Sequence, residues 1–138
     1  MTRLDLVNPE ELGPPSGFSH GVLGPGGGRV LFVAGQNAPD VGSADPGERM
    51  VAQFAAALAR ALAVVREAGG SPEHVARMTV YVTDMAAYRA ARPRLAAPWR
   101  AAMGGHYPAM ALVEVRSLVD EGAVVEIEAT AVLPKEGS

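Results

Sequence analysis

The sequence predicts an α/β (α+β) domain of element order ββαβαββ, in which two helices cover one face of a mixed sheet. Three patterns carry that expectation. Val51, Phe54, Ala55, Leu58, Ala61, Leu62 and Val65 recur at three- and four-residue steps, which lays one apolar stripe along a long helix. Met78, Val80 and Val82 alternate with Thr79, Tyr81 and Thr83, the two-residue period of a strand with one face in the core. Between Ala123 and Leu133, Val125, Ile127, Ala129, Ala131 and Leu133 form one face of a strand, while Val124, Glu126, Glu128, Thr130 and Val132 form the other.

Taken in order, the residues up to Gly17 are rich in Pro and polar side chains and read as an irregular lead-in, residues 1–17 of one domain spanning 1–138. Phe18–Leu23 and Arg29–Ala34 are short apolar stretches separated by Gly24-Pro25-Gly26-Gly27-Gly28, which suits a β-hairpin with a loose turn. These glycines lack the Gly-Lys-Ser/Thr ending of a phosphate loop. Asp45-Pro46-Gly47-Glu48 then places Asp at an N-cap, Pro at the first helical position and Glu at the third, and Gly69-Gly70 supplies the stop. After the strand Arg77–Thr83, Asp84 is the cap of the next segment. Pro93 and Pro98 interrupt the helical spacing of Tyr88, Leu95, Trp99 and Met103, which predicts a short turn and then a helix starting near Pro93. Met110–Val115 and Ala123–Leu133 are the last strands, joined by a polar turn at Asp120-Glu121-Gly122.

The composition narrows the function classes. A chain of 138 residues, 49% of them hydrophobic, suffices for one self-supporting core. The net charge of -3, with no basic stripe, argues against a nucleic-acid surface. Cysteine is absent, which removes disulfides and a thiolate nucleophile and fits a reducing, cytoplasmic setting. No apolar run approaches the ~20 residues of a membrane span, and Asp5, Glu10 and Glu11 interrupt any signal-peptide core. His20, His74 and His106 have no metal-ligand spacing, so no metal site is expected. The face carrying Glu126 and Glu128 is half apolar; it is either buried against another subunit around a solvated site or simply open to solvent.

Several short runs occur together in a distinctive order: Val33-Ala34-Gly35-Gln36, Val80-Tyr81-Val82-Thr83-Asp84, Tyr107-Pro108-Ala109 leading to Val113-Glu114-Val115, and Glu126-Ile127-Glu128-Ala129. In order and spacing the chain resembles the Rid (YjgF-type) family from Phe18 to Leu133. The resemblance implies a chorismate-mutase-like fold, a homotrimer whose sheets form a central barrel, and ligand clefts between neighbouring subunits. It also implies cofactor-independent chemistry, the hydrolysis of reactive imines and enamines to a carbonyl compound and ammonia. That chemistry asks for a group to hold the substrate carboxylate and another to orient water.

The family's deaminases grip the substrate carboxylate with an arginine two residues after the Pro-Ala step, where this chain has Met110. A thioether cannot donate to a carboxylate, and loss of such a contact in a partly desolvated cleft costs about 2–5 kcal/mol. Where the deaminases have tyrosine, serine, asparagine and cysteine, this chain has Phe18, Ala34, Arg92 and Leu112, whereas Gly35, Gln36 and Glu126 match the family. Glu126 is thereby assigned the water-positioning acid, with an inter-subunit ion pair as the alternative. Phe18, Met110 and Leu112 hold the apolar part of the ligand, and backbone amides near Gly35 and Ala109 steady its polar end. Arg92 is either a cation that restores anion binding or a solvated helix residue. His20, expected on the same strand face as Phe18, and His106 before Met110 are further candidates for the cleft. Two readings fit these residues: an enzyme hydrolysing or tautomerising an imine or enamine less polar than an amino-acid imine, or a non-catalytic trimer that binds a small molecule. Ribonuclease activity, a label attached to the family, is disfavoured by the acidic charge.

Overall fold

The computed structural model describes residues 4–135; the outermost residues of the expected 1–138 domain lie outside the described residues. Eight strands and helices succeed one another: β1 (Asp5–Val7), β2 (Gly21–Leu23), β3 (Arg29–Gln36), α1 (Pro46–Glu67), β4 (Val75–Val82), α2 (Met85–Met103), β5 (Ala109–Glu114) and β6 (Val125–Leu133). The main sheet has the order β3-β6-β4-β5, with β6 antiparallel to both neighbours and β5 parallel to β4. Both helices lie on one face, where α1 packs against α2, β6 and β3.

α1 forms where its stripe and its start signal agree. The Asp45 carboxylate accepts a hydrogen bond from the Glu48 amide at 2.9 Å, and Pro46 occupies the first turn, where its missing N–H costs nothing. Gly69, at φ 89°, reverses the chain in a left-handed conformation, and its amide and that of Gly70 return to the carbonyls of Arg66 and Val65 at 2.9 Å each. The stripe seats Leu58 and Leu62 against Met78 and Ile127, all under 2% exposed. Each such side chain contributes roughly 1.5–3 kcal/mol by leaving water.

α2 departs from expectation. It is one helix from Met85 to Met103, with Pro93 and Pro98 inside it rather than at a start. Asp84 caps it as anticipated, its side chain accepting from the Ala87 amide at 3.0 Å. The prolines are overridden because Ala91, Leu95, Trp99 and Met103, at strict four-residue steps, are all buried on the core side. Pro93 itself is exposed, as is Arg89, the residue whose carbonyl a proline at 93 deprives of its helical N–H donor. Pro93→Ala is therefore expected to raise the unfolding free energy by about 1–2 kcal/mol, the ~3 kcal/mol helix-interior cost less the unfolded-chain stiffening that proline provides. A urea titration checks this through an unchanged slope and a higher midpoint.

The first strands also differ from the expected hairpin. β2 does not pair with β3; it pairs with β1, Asp5 opposite Leu23 and Val7 opposite Gly21, so the lead-in contains a strand. β3 goes instead to β6, where its eight residues meet a nine-residue partner and bury Val33 against the helices. Phe18 lies before β2, and the short segment around it is held at the edge of β5 by a bridge between Ser19 and Ala109. The Ser19 amide donates to the Pro108 carbonyl at 2.9 Å and its hydroxyl to the Tyr107 carbonyl at 2.6 Å.

The alternation of β6 appears as anticipated, with Val125, Ile127, Ala129, Ala131 and Leu133 buried on the helix side. Its other face belongs to an uncovered side of the sheet. There Phe32 is 79% exposed and Val30 55%, beside Thr130 and Val132 of β6.

Candidate functional site

The candidate residues fall into two groups on opposite faces of the sheet. Glu126 stands opposite Tyr81 of β4, which stands opposite Val113 of β5, and this row faces away from the helices. Met110 and Leu112 stand opposite Met78 and Val80, the buried row, and so face the helices. Within one chain the acid and the β5 side chains cannot meet.

The first group sits at an irregularity of the sheet. Between Val33 and Gln36 the pairing of β3 with β6 slips by one residue, leaving a bulge at Ala34-Gly35 beside Glu126. Gln36 spans it, its side-chain amide donating to the Ala34 carbonyl at 3.2 Å. The Glu126 carboxylate lies directly over Gly35: a Cβ there would come within 2.6 Å of Oε2 and 2.8 Å of Cδ. The side chain of Asn37 holds the other oxygen, Nδ2 donating to Glu126 Oε1 at 3.0 Å and also to Asp120 Oδ2 at 2.8 Å. Gly35→Ala is expected to push the carboxylate off the bulge and cut any Glu126-dependent turnover at least tenfold, since misplacing a reacting group by ~1 Å can cost 10²-fold. Steady-state kinetics with circular dichroism checks this, the fold remaining intact.

Nearby, Tyr81 has its phenol pushed above the usual tyrosine range, by burial first and then by the charges of Glu128 and Glu126. It stays neutral at physiological pH and keeps a proton to donate on the acid face. Among the described residues no three His, Asp or Glu side chains are grouped to hold a metal ion.

The second group lines a cavity of about 550 Å³ between α2, β5 and the Gly17-Phe18 segment. Phe18, Arg92, Met110 and Leu112 are in its wall. So are Tyr88, Trp99 and Tyr107, which helical spacing alone leaves as core or loop positions. Trp99 and Tyr107 stack with centroids 5.7 Å apart and planes 9° from parallel, which stiffens that wall. The Trp99 indole N–H is buried without a hydrogen-bond partner among the described residues. Arg92 is not at a helix start; it lies in the body of α2, one turn after Tyr88 on the same face.

The remaining candidates are placed apart from that lining. His20 packs edge-on to Phe18 at 5.1 Å and its Nε2 donates to the Gly13 carbonyl at 3.0 Å, which ties down the lead-in. It comes after Phe18 before β2 begins rather than on a shared strand. His106 Nε2 donates to the Val75 carbonyl at 2.7 Å. In both cases the carbonyl can only accept, so Nε2 carries the proton. Ala109 opens β5 opposite Arg77, and Ala34 lies in the bulge. Glu114 accepts from the Met85 amide at 2.8 Å and serves the start of α2.

A mixed sheet of this order, helices on one face and an acid held over a glycine bulge on the other, defines an α+β protein of chorismate-mutase-like fold with a cavity at its sheet edge. The chain belongs to the Rid, or YjgF, family: the family model described as Endoribonuclease L-PSP matches residues 9–133. The Rid-family protein of unknown function YyfB from Yersinia pestis is 34% identical, with a TM-score of 0.77 over 95% of this chain and 99% of its own. Rv2704 from Mycobacterium tuberculosis, a member of the YjgF/YER057c/UK114 family, is 30% identical, with a TM-score of 0.60 over 94% of this chain and 99% of its own. TdcF from E. coli, solved with bound serine, is 28% identical, with a TM-score of 0.61 over 88% of this chain and 92% of its own. No curated protein matches the chain significantly. No helix among the described residues is long and apolar enough to cross a membrane.

Proposed function

We propose that this protein hydrolyses an imine or enamine of a small metabolite in clefts formed between copies of the chain, assembled as a homotrimer. The observation that carries the reading is the division of the site between the two faces of one sheet. Glu126, Gly35 and Ala34 of one copy would complete the cavity wall of Phe18, Arg92, Met110 and Leu112 in the next. The uncovered face supports the same reading, because Phe32, Val30 and Val113 expose apolar surface that a neighbouring sheet would bury. The TdcF structure adds that a relative binds serine, a small amino acid.

The reaction needs no more than these residues. Water adds to the carbon of the protonated imine as the Glu126 carboxylate takes one of its protons, giving a neutral carbinolamine. The same carboxyl group then returns that proton to the amine, and the C–N bond breaks as the carbonyl forms, the hydroxyl proton leaving with the nitrogen as ammonium. For an enamine, a proton from solvent adds at carbon first and gives the same iminium. Asn37 acts as a positioning residue: its amide fixes which Glu126 oxygen remains free to meet water.

The test is ammonia release from imines generated in situ by an amino-acid oxidase, across side chains from methyl to benzyl, for wild type and Glu126→Gln. The reading expects faster turnover of the larger, less polar imines than of 2-aminoacrylate, lost in the variant. Ligand binding without turnover of any imine would overturn it in favour of a non-catalytic binding trimer.

A further inference from the structure

We propose that the cavity between α2 and β5 takes a planar aromatic ring bearing a carboxylate, with Arg92 and the Tyr88 hydroxyl gripping the carboxylate. The proposal rests on the imine-hydrolysis reading and narrows its substrate to an aromatic 2-imino acid or the corresponding enamine.

The wall is unusually aromatic for this chain. Of its three Phe, three Tyr and one Trp, five line this one cavity. An aromatic wall gains most from a flat ring, which stacks or meets it edge-on over a large area. The volume of about 550 Å³ also lies within the range of sites for drug-sized ligands, and a three-carbon imino acid would leave most of it to water.

The charge lies at one place in that wall. Met110 offers no donor, while Arg92 sits one turn beyond Tyr88 and both face the cavity. Arg29 and Arg49 donate to the carbonyls of Pro134 and Gly122, at 3.0 Å each, but Arg92 has no such partner among the described residues. Its guanidinium is thus open to a ligand anion and presents a fork that matches two carboxylate oxygens. Tyr88 complements it. Burial pushes its phenol up, more than the Arg92 charge pulls it down, so the hydroxyl stays protonated at physiological pH and donates.

Titration calorimetry of the full chain tests this without turnover, with phenylpyruvate, pyruvate and phenylacetone as probes. Phenylpyruvate carries ring and carboxylate, pyruvate lacks the ring, and phenylacetone lacks the carboxylate. Phenylpyruvate is expected to bind at least about tenfold more tightly than either, the worth of one charge-assisted contact against phenylacetone and of a buried ring against pyruvate. Arg92→Gln should collapse the phenylpyruvate-to-phenylacetone ratio, and Arg92→Lys, which keeps the charge without the fork, should retain part of it. Equal affinities for phenylpyruvate and phenylacetone, a ratio unchanged in Arg92→Gln, or no binding of phenylpyruvate would each overturn the proposal. The two failures are distinguishable. Glu126-dependent turnover of imines without a carboxylate, at rates indifferent to Arg92, would sink this inference and leave the reaction standing. A retained affinity ratio with no turnover would do the reverse.

Discussion

Glu126→Gln is expected to lower kcat for imine hydrolysis by about 10²–10⁴, the usual contribution of one positioned acid/base group, with KM changed far less. Glutamine has the shape of the side chain it replaces, and its carbonyl oxygen can still accept from Asn37 at the position Oε1 holds. What disappears is a group able to take a proton from water and return it to the departing amine. The Gly35 bulge accepts the planar amide as it does the carboxylate, so folding and assembly should survive and the loss can be read as chemistry. Ammonia release measured at saturating imine gives the answer, and a kcat within about twofold of wild type would remove Glu126 from the reaction.

Gln53→Leu carries the largest expected loss of stability, about 2–4 kcal/mol. The side chain is fully buried in α1 and is used at both ends. Its Nε2 donates to the carbonyls of Gly122 at 2.9 Å and Val41 at 3.2 Å, with Pro39 more distant at 3.4 Å, while its Oε1 accepts from the Val124 amide at 2.8 Å. Leucine fits the volume but leaves the half-buried Val124 amide and the Val41 carbonyl without their Gln53 partner, while Gly122 keeps Arg49; a group left unpaired costs roughly 1–3 kcal/mol before relaxation. In urea the midpoint should fall by about 1–2 M at an unchanged slope. Activity should fall too, because the Gln53-anchored segment holds Asp120 at one end and leads into Glu126 at the other. A midpoint within about 0.3 M of wild type would show that these bonds contribute little net stability.

How much of the fold is legible in the sequence depends on whether the signal is periodic. The α1 stripe and the Asp45 cap act within a few residues of one another, so the helix and its start can be read directly. The alternation of β6 puts Glu126 and Ile127 on opposite faces for the same reason. Strand partners depend on distant residues, and so the β1–β2 and β3–β6 pairings escape such a reading; the three residues of β2 fit β1 as well as they would any neighbour. The continuity of α2 is hidden because proline's local cost is visible in sequence while the burial of Ala91, Leu95 and Trp99 that offsets it is not.

At the site, the motif resemblance supplies Phe18, Ala34, Gly35, Arg92, Met110, Leu112 and Glu126, but not the residues that no motif marks. Asn37 belongs to no repeat or motif, and only its nearness to the bulge gives it work. Gln53 does leave a signal: it lies three residues after Met50 and four before Ala57, squarely on the apolar side of its helix, where a polar group must find partners. Tyr88 leaves one as well, in its four-residue spacing from Arg92, once α2 is known to be unbroken.

If one chain holds only the two halves of its site, turnover requires assembly, and sedimentation equilibrium of the purified protein tests this most directly. The expected mass is three times the 14.3 kDa of the chain, with imine turnover confined to that species. A protein that stays at the mass of one chain across the concentration range, and still turns over imines, would contradict it.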